Sequence, residues 1–108
     1  MTDQTIEEGR GHAIISYITI FGTIIALILN KDKKNPFASF HIRQALGLWL
    51  TWFALGMVVS QLDNWFATFV FLLLFGILTI YGFINAVAGH PQTVPVVGNF
   101  YQKVFSSI

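Results

Sequence analysis

The chain has 108 residues, room for one domain, and no cysteine, which removes disulfides, thiolate metal sites and cysteine nucleophiles. It is 55% hydrophobic and only 10% charged, against about a quarter charged in soluble domains, so it lacks the polar surface to cover a water-exposed globule. A net charge of +1 proposes no nucleic-acid partner, and lipid is the solvent this composition favours.

Residues 1–11 read as a polar tail. Thr5-x-x-Glu8 fits a capping box, but Gly9 and Gly11 interrupt any helix it starts. The first residues are acidic and no small-residue cleavage site follows, so no cleavable signal peptide is expected. A single membrane domain is expected over 12–108.

Residues 13–30 are uncharged and rich in Ile, Leu, Phe and Tyr. As a helix they cover roughly 27 Å, close to a ~30 Å hydrocarbon core, whereas a strand would need only about ten residues. Length therefore predicts a first transmembrane helix. Ser16, Thr19 and Thr23 share one stripe of it, and Gly22 with Ala26 gives a small-xxx-small spacing for close helix contact.

Lys31 to Asn35 forms a loop. Asn35 is a good N-cap and Pro36 suits the first helical position, where its missing N–H costs nothing. A second helix over about 36–62 follows, its first two turns at the interface and Arg43 reaching phosphates. After a tight turn at Gln61 to Asn64, a third helix runs over about 65–88, with Trp65 in the aromatic belt. Gly89 and Pro91 end it, and Gly82 with Ala86 repeats the small-xxx-small spacing. The last segment is too short and polar to cross again. Asn99 could cap an amphipathic interfacial helix over about 99–108, with Tyr101, Val104, Phe105 and Ile108 on one face.

The expected fold is an all-α integral membrane protein with three transmembrane helices and that short C-terminal helix. Three crossings put Lys31, Lys33, Lys34, Arg43 and Lys103 on one side, leaving only Arg10 on the other. The positive-inside rule then places the C-terminus in the cytoplasm and the N-terminus outside a bacterial inner membrane. The lysines, Arg43 and Lys103 are read as lipid or partner contacts, each lysine contributing about 1 kcal/mol near an anionic surface.

A polar cluster is expected at the cytoplasmic end. An antiparallel hairpin of the second and third helices sets Asn85 near the depth of His41 and Gln44, and Asn30 ends the first helix on the same side. His41 and Gln44 point about 60° apart, while Arg43 points about 200° from His41. Two readings attach to the cluster: interhelical hydrogen-bond glue, or a polar gate at a channel mouth or partner interface. No nucleophile–base–orienter set and no ligand cluster for a metal is visible, so neither an enzyme nor a cofactor is expected.

Pro36, Phe37, Phe40, His41, Gln44 and Ala45 form Pro-Phe-x-x-Phe-His-x-x-Gln-Ala. This resembles the signature of a bacterial membrane family related to the twenty-kilodalton component of the chloroplast inner-envelope protein import translocon (Tic). The segment from Ala88 and Gly89 through Val94-Pro95-Val96-Val97-Gly98 looks like that family's closing motif. The resemblance implies a small polytopic protein associated with protein translocation or insertion. The function expected is thus a non-enzymatic accessory or scaffold subunit working with other membrane subunits. A homo-oligomeric small-solute or ion channel is the alternative.

Overall fold

The computed structural model describes residues 1–108, in five helices and no strand. In chain order these are α1 (Asp3–Ser16), α2 (Ile20–Lys33), α3 (Pro36–Gln61), α4 (Trp65–Ala88) and α5 (Gly98–Val104).

Helices α3 and α4 form a long antiparallel hairpin. Asn35 caps α3 by accepting from the Ala38 N–H at 3.0 Å, with Pro36 at its first position. Asn64 caps α4 by accepting from Phe66 and Ala67. Gly89 closes α4 at φ 79, a left-handed conformation that glycine adopts without steric cost. Both helices are long and apolar enough to cross a membrane. Only 28% and 22% of their most apolar stretches are buried, so these are not the core helices of a water-soluble globule.

The first of the three expected spans is not a single helix. Residues 13–30 break at Tyr17 to Thr19, and the polar residues 1–11 are not a loose tail, since most of them belong to α1. The two resulting helices have 14 residues each. Each is about 21 Å long, short of the ~30 Å needed to cross. The break is built by the very hydroxyls that a continuous helix would have left on one stripe. Ser16 Oγ donates back to the Ala13 carbonyl at 2.6 Å, and Thr19 caps α2 by accepting from Gly22 N–H at 3.2 Å. The Ser16 carbonyl, freed where α1 stops, accepts from Thr23 Oγ1 at 2.6 Å and from the Trp49 indole at 3.2 Å. A helix end buried with its carbonyls satisfied costs little, and apolar length alone does not reveal it.

Helix α1 runs alongside α3 in the same direction. Its Thr5 carbonyl accepts from Asn35 Nδ2 at 3.0 Å near the start of α3, and its Ser16 carbonyl meets Trp49 farther along. Helix α2 then returns: Asn30 Nδ2 donates to Ser39 Oγ at 2.9 Å, and Asn30 Oδ1 accepts from the Asn35 N–H at 3.0 Å. The N-terminus, the α2–α3 loop and the end of α4 therefore share one end of the molecule. The core sits there, built on Ala13, Tyr17, Phe37, Ala45, Leu48 and Ala86.

The small residues mark the close approaches. Gly22 packs on the Ile15 carbonyl, Ala26 is buried with Ala38 and Ile42, and Gly82 lies under the Tyr17 ring. Ala86 is fully buried in the main cluster. After α4 the chain folds back over α3. The terminal helix is shorter than expected, and its N-cap is Val97, not Asn99, with no side-chain cap bond. Tyr101 is buried against Gly47 and α3, whereas Val104 faces outward.

Candidate functional site

The end of the molecule that holds the core also holds its buried polar groups. His41 and Gln44 have 0% exposure on the inner face of α3, as the 3-residue spacing allows. Their common partner is Tyr17, the residue that terminates α1. Tyr17 Oη lies 2.7 Å from His41 Nδ1 and 2.8 Å from Gln44 Nε2. The other ring nitrogen, His41 Nε2, lies 3.0 Å from the His90 carbonyl oxygen. Gln44 Oε1 accepts from the Val94 N–H at 2.7 Å, and Gln44 Nε2 also donates to the Gln92 carbonyl at 3.4 Å.

Donor and acceptor counting fixes the direction of every bond. The Val94 N–H can only donate, so Gln44 Oε1 is the acceptor and Nε2 the donor to Tyr17. The His90 carbonyl can only accept, so His41 Nε2 carries the proton. With that tautomer of the neutral imidazole Nδ1 is an acceptor, so the Tyr17 hydroxyl, while accepting from Gln44, donates its own hydrogen to His41 Nδ1. The result is a loop of bonds from Val94 through Gln44, Tyr17 and His41 back to His90. It is complete with neutral imidazole. A second proton on His41 would leave the Tyr17 hydroxyl hydrogen without an acceptor. Edge-on contacts from Phe37 and Phe40, with ring centroids at 4.8 and 5.2 Å, close the pocket around the imidazole.

Asn85 does not join this loop. It is 8% exposed, and its Nδ2 donates to the Tyr81 carbonyl one turn back on its own helix. Asn30 also stays apart, tying the α2–α3 loop through Ser39 and Asn35. Equal depth on neighbouring helices did not mean equal facing: the space between α3 and α4 at this depth is taken by Tyr17. Lys31, Lys33, Lys34 and Lys103 are exposed, and Arg43 Nη1 reaches Gln102 Oε1 at 3.4 Å.

Tyr17 was not among the residues that sequence reasoning selected. Its available signal is its position between Ser16 and Thr19, the hydroxyl pair that ends one helix and starts the next. Tyr101 makes a second, smaller anchor: its hydroxyl lies 2.6 Å from Thr51 Oγ1, which itself donates to the Gly47 carbonyl at 2.7 Å. Burial pushes the Tyr101 phenol up, the Thr51 bond opposing, so it too stays neutral.

No three His, Asp or Glu side chains come together, and both His41 nitrogens are already engaged within the chain. What the arrangement does chemically is clamp. It ties α1, α3 and the returning 90–94 segment to one another through five side-chain-mediated contacts in a place from which water is excluded.

Residues 9–101 match the family described as magnetosome magnetite crystal formation proteins, which takes in both long helices and the whole clamp. The chain belongs to that magnetosome family. The translocon-related resemblance suggested by Pro36 to Ala45 is thereby overturned, and protein transport, which rested on it, has no support. The His41-x-x-Gln44 spacing has its explanation inside this fold, where it holds Tyr17 and the 90–94 segment. Among curated proteins and among solved structures, nothing matches the chain. Magnetosome family membership and the two apolar helices together make this a small membrane protein.

Proposed function

We propose that this chain is a non-enzymatic scaffold subunit of the membrane at which magnetite crystals form. The observation that carries the reading is the commitment of Tyr17, His41 and Gln44 to one another and to the main chain at His90, Gln92 and Val94. A buried set of this kind rigidifies a bundle, which is what a positioning subunit needs. The magnetosome family supplies the setting. A homo-oligomeric channel would need the same groups to line a path, whereas both His41 and Gln44 are fully covered within one chain.

The same reading carries a topology. Helices α3 and α4 cross, and the α1–α2 hairpin dips into one leaflet and returns. Its outer face carries Phe21, Ile24, Ile25 and Ile28, exposed by 46% or more, for acyl chains to cover. Arg10, Lys31, Lys33, Lys34, Arg43 and Lys103, all six basic residues, then belong to one side, and the far turn holds only Asp63. That asymmetry supports a reading with both termini in the cytoplasm. It replaces the N-terminus-outside arrangement, which assumed that residues 13–30 crossed.

The test is deletion and complementation in a magnetite-forming bacterium that carries this chain, with crystal dimensions measured by electron microscopy. Deletion changes crystal size or number while the membrane compartments persist, and Tyr17→Phe complements only in part. Crystals of unchanged size and number after deletion would remove the reading.

A further inference from the structure

Three of the six basic side chains, Lys31, Lys34 and Arg43, border adjoining cavities where α2 meets α3. Two adjoining cavities, of about 380 and 410 Å³, lie between the end of α2, the start of α3 and the last two residues. Lys34, Ser107 and Ile108 line both. Lys31 and Asn30 line the first, while Arg43 and Ser39 line the second. No acidic side chain lines either cavity, and the chain's one ion pair, Arg10 with Glu7, lies elsewhere on α1. Lys34 thus borders both cavities, Lys31 the first and Arg43 the second, with no Asp or Glu side chain in either lining.

Two of these cations show cost. Arg43 Nε is shielded from solvent and has no acceptor, and its Nη1 makes only the long 3.4 Å contact with Gln102. A buried donor left in that state costs about 1–3 kcal/mol. Lys34 ends α2 at φ 48 and ψ 43, the left-handed conformation in which glycine is the ordinary residue. An ammonium is kept at a position where the backbone alone would favour no side chain.

The cleft also has an apolar wall. Leu27 and Ile28 lie one turn deeper on α2 than Lys31, and Ile28 is 65% exposed on the surface assigned above to lipid. Cations at the membrane rim with aliphatic surface directly below match the two halves of a phospholipid.

We propose that this cleft binds an anionic membrane phospholipid, with Lys31, Lys34 and Arg43 on the phosphate oxygens and an acyl chain along Leu27 and Ile28. The site rests on the membrane reading above, not on any role in crystal growth.

The protein purified in mild nonionic detergent is titrated with phosphatidylglycerol or phosphatidylcholine, and bound lipid is counted by native mass spectrometry. Phosphatidylglycerol is retained at least about tenfold more tightly, and millimolar inorganic phosphate does not displace it. Lys34→Gly weakens that retention about fivefold, the factor that ~1 kcal/mol per basic residue amounts to. Its thermal midpoint holds or rises, because glycine fits the left-handed cap. Lys33→Gln removes the same charge outside the cleft and changes retention less than twofold. Equal loss from Lys33→Gln and Lys34→Gly, equal retention of the two lipids, or displacement by free phosphate would each overturn the site. Crystal size is not read in this experiment, so its failure and that of the scaffold reading are distinguishable.

Discussion

The Tyr17 hydroxyl donates to His41 Nδ1 across 2.7 Å, joining the residue that ends α1 to the inner face of α3. Because Gln44 donates to the same oxygen, this one phenol holds two α3 side chains at once. Tyr17→Phe keeps the ring and its packing but leaves His41 Nδ1 and Gln44 Nε2 each short of a partner. Stability falls by about 1–2 kcal/mol, the range between a typical membrane hydrogen bond and a buried unsatisfied group. Denaturant unfolding in mild detergent measures it. In a double-mutant cycle with His41→Ala the pair couples by about 0.5 kcal/mol or more, and full additivity would show that the bond contributes nothing.

Gly82 on α4 leaves the space that the Tyr17 ring fills. A Cβ there would stand 2.6 Å from Tyr17 Cε1 and 2.9 Å from Cζ. Gly82→Ala therefore displaces the ring and destabilises by roughly 1–3 kcal/mol, as overpacking does. In a Tyr17→Ala background the same substitution is nearly neutral, since the obstacle is gone. Thermal melts of the four proteins separate this from a general intolerance of α4 to a methyl group.

The return segment 90–97 depends on Gln44 more than on any helix cap. Gln44→Leu leaves the Val94 N–H, 2.7 Å from Oε1, without its acceptor and Val94 itself less firmly seated. Amide exchange at Val94 then accelerates by about tenfold or more, corresponding to ~1.4 kcal/mol, while amides in the middle of α4 keep their protection. Uniform acceleration over the whole chain would instead indicate global unfolding.

Absence of cysteine makes topology directly readable. Single cysteines placed at Gln4, Asp63 and Lys103 are labelled with a membrane-impermeant maleimide in intact and opened spheroplasts. Gln4 and Lys103 label together, only after opening, whereas Asp63 labels in the intact state. If Gln4 labels with Asp63, residues 13–30 cross the membrane and the leaflet hairpin does not exist.

Much of the architecture was legible locally. Asn35 with Pro36, Asn64 with Trp65, and Gly89 each carry their stop or start in their own covalent chemistry, and α3 and α4 begin and end on them. The burial of His41 and Gln44 followed from their spacing on one helix face. Asn85 shows where such reasoning stops: its depth was readable from the hairpin, but its direction was not, and it turns back to Tyr81. The sequence motif around His41 also suggested a family that the match over residues 9–101 overturns.

Composition and runs of apolar residues by themselves determined that the chain is helical, that lipid is its solvent, and where its two long helices lie. Those properties follow from free energies that add along the chain, residue by residue. Only the tertiary structure decided that residues 13–30 turn back at Tyr17 to Thr19. A buried helix end is tolerable only when distant groups satisfy it, here Trp49 for the Ser16 carbonyl and His41 with Gln44 for the Tyr17 hydroxyl. Those partners lie 24 to 33 positions away along the chain, beyond the reach of any local pattern.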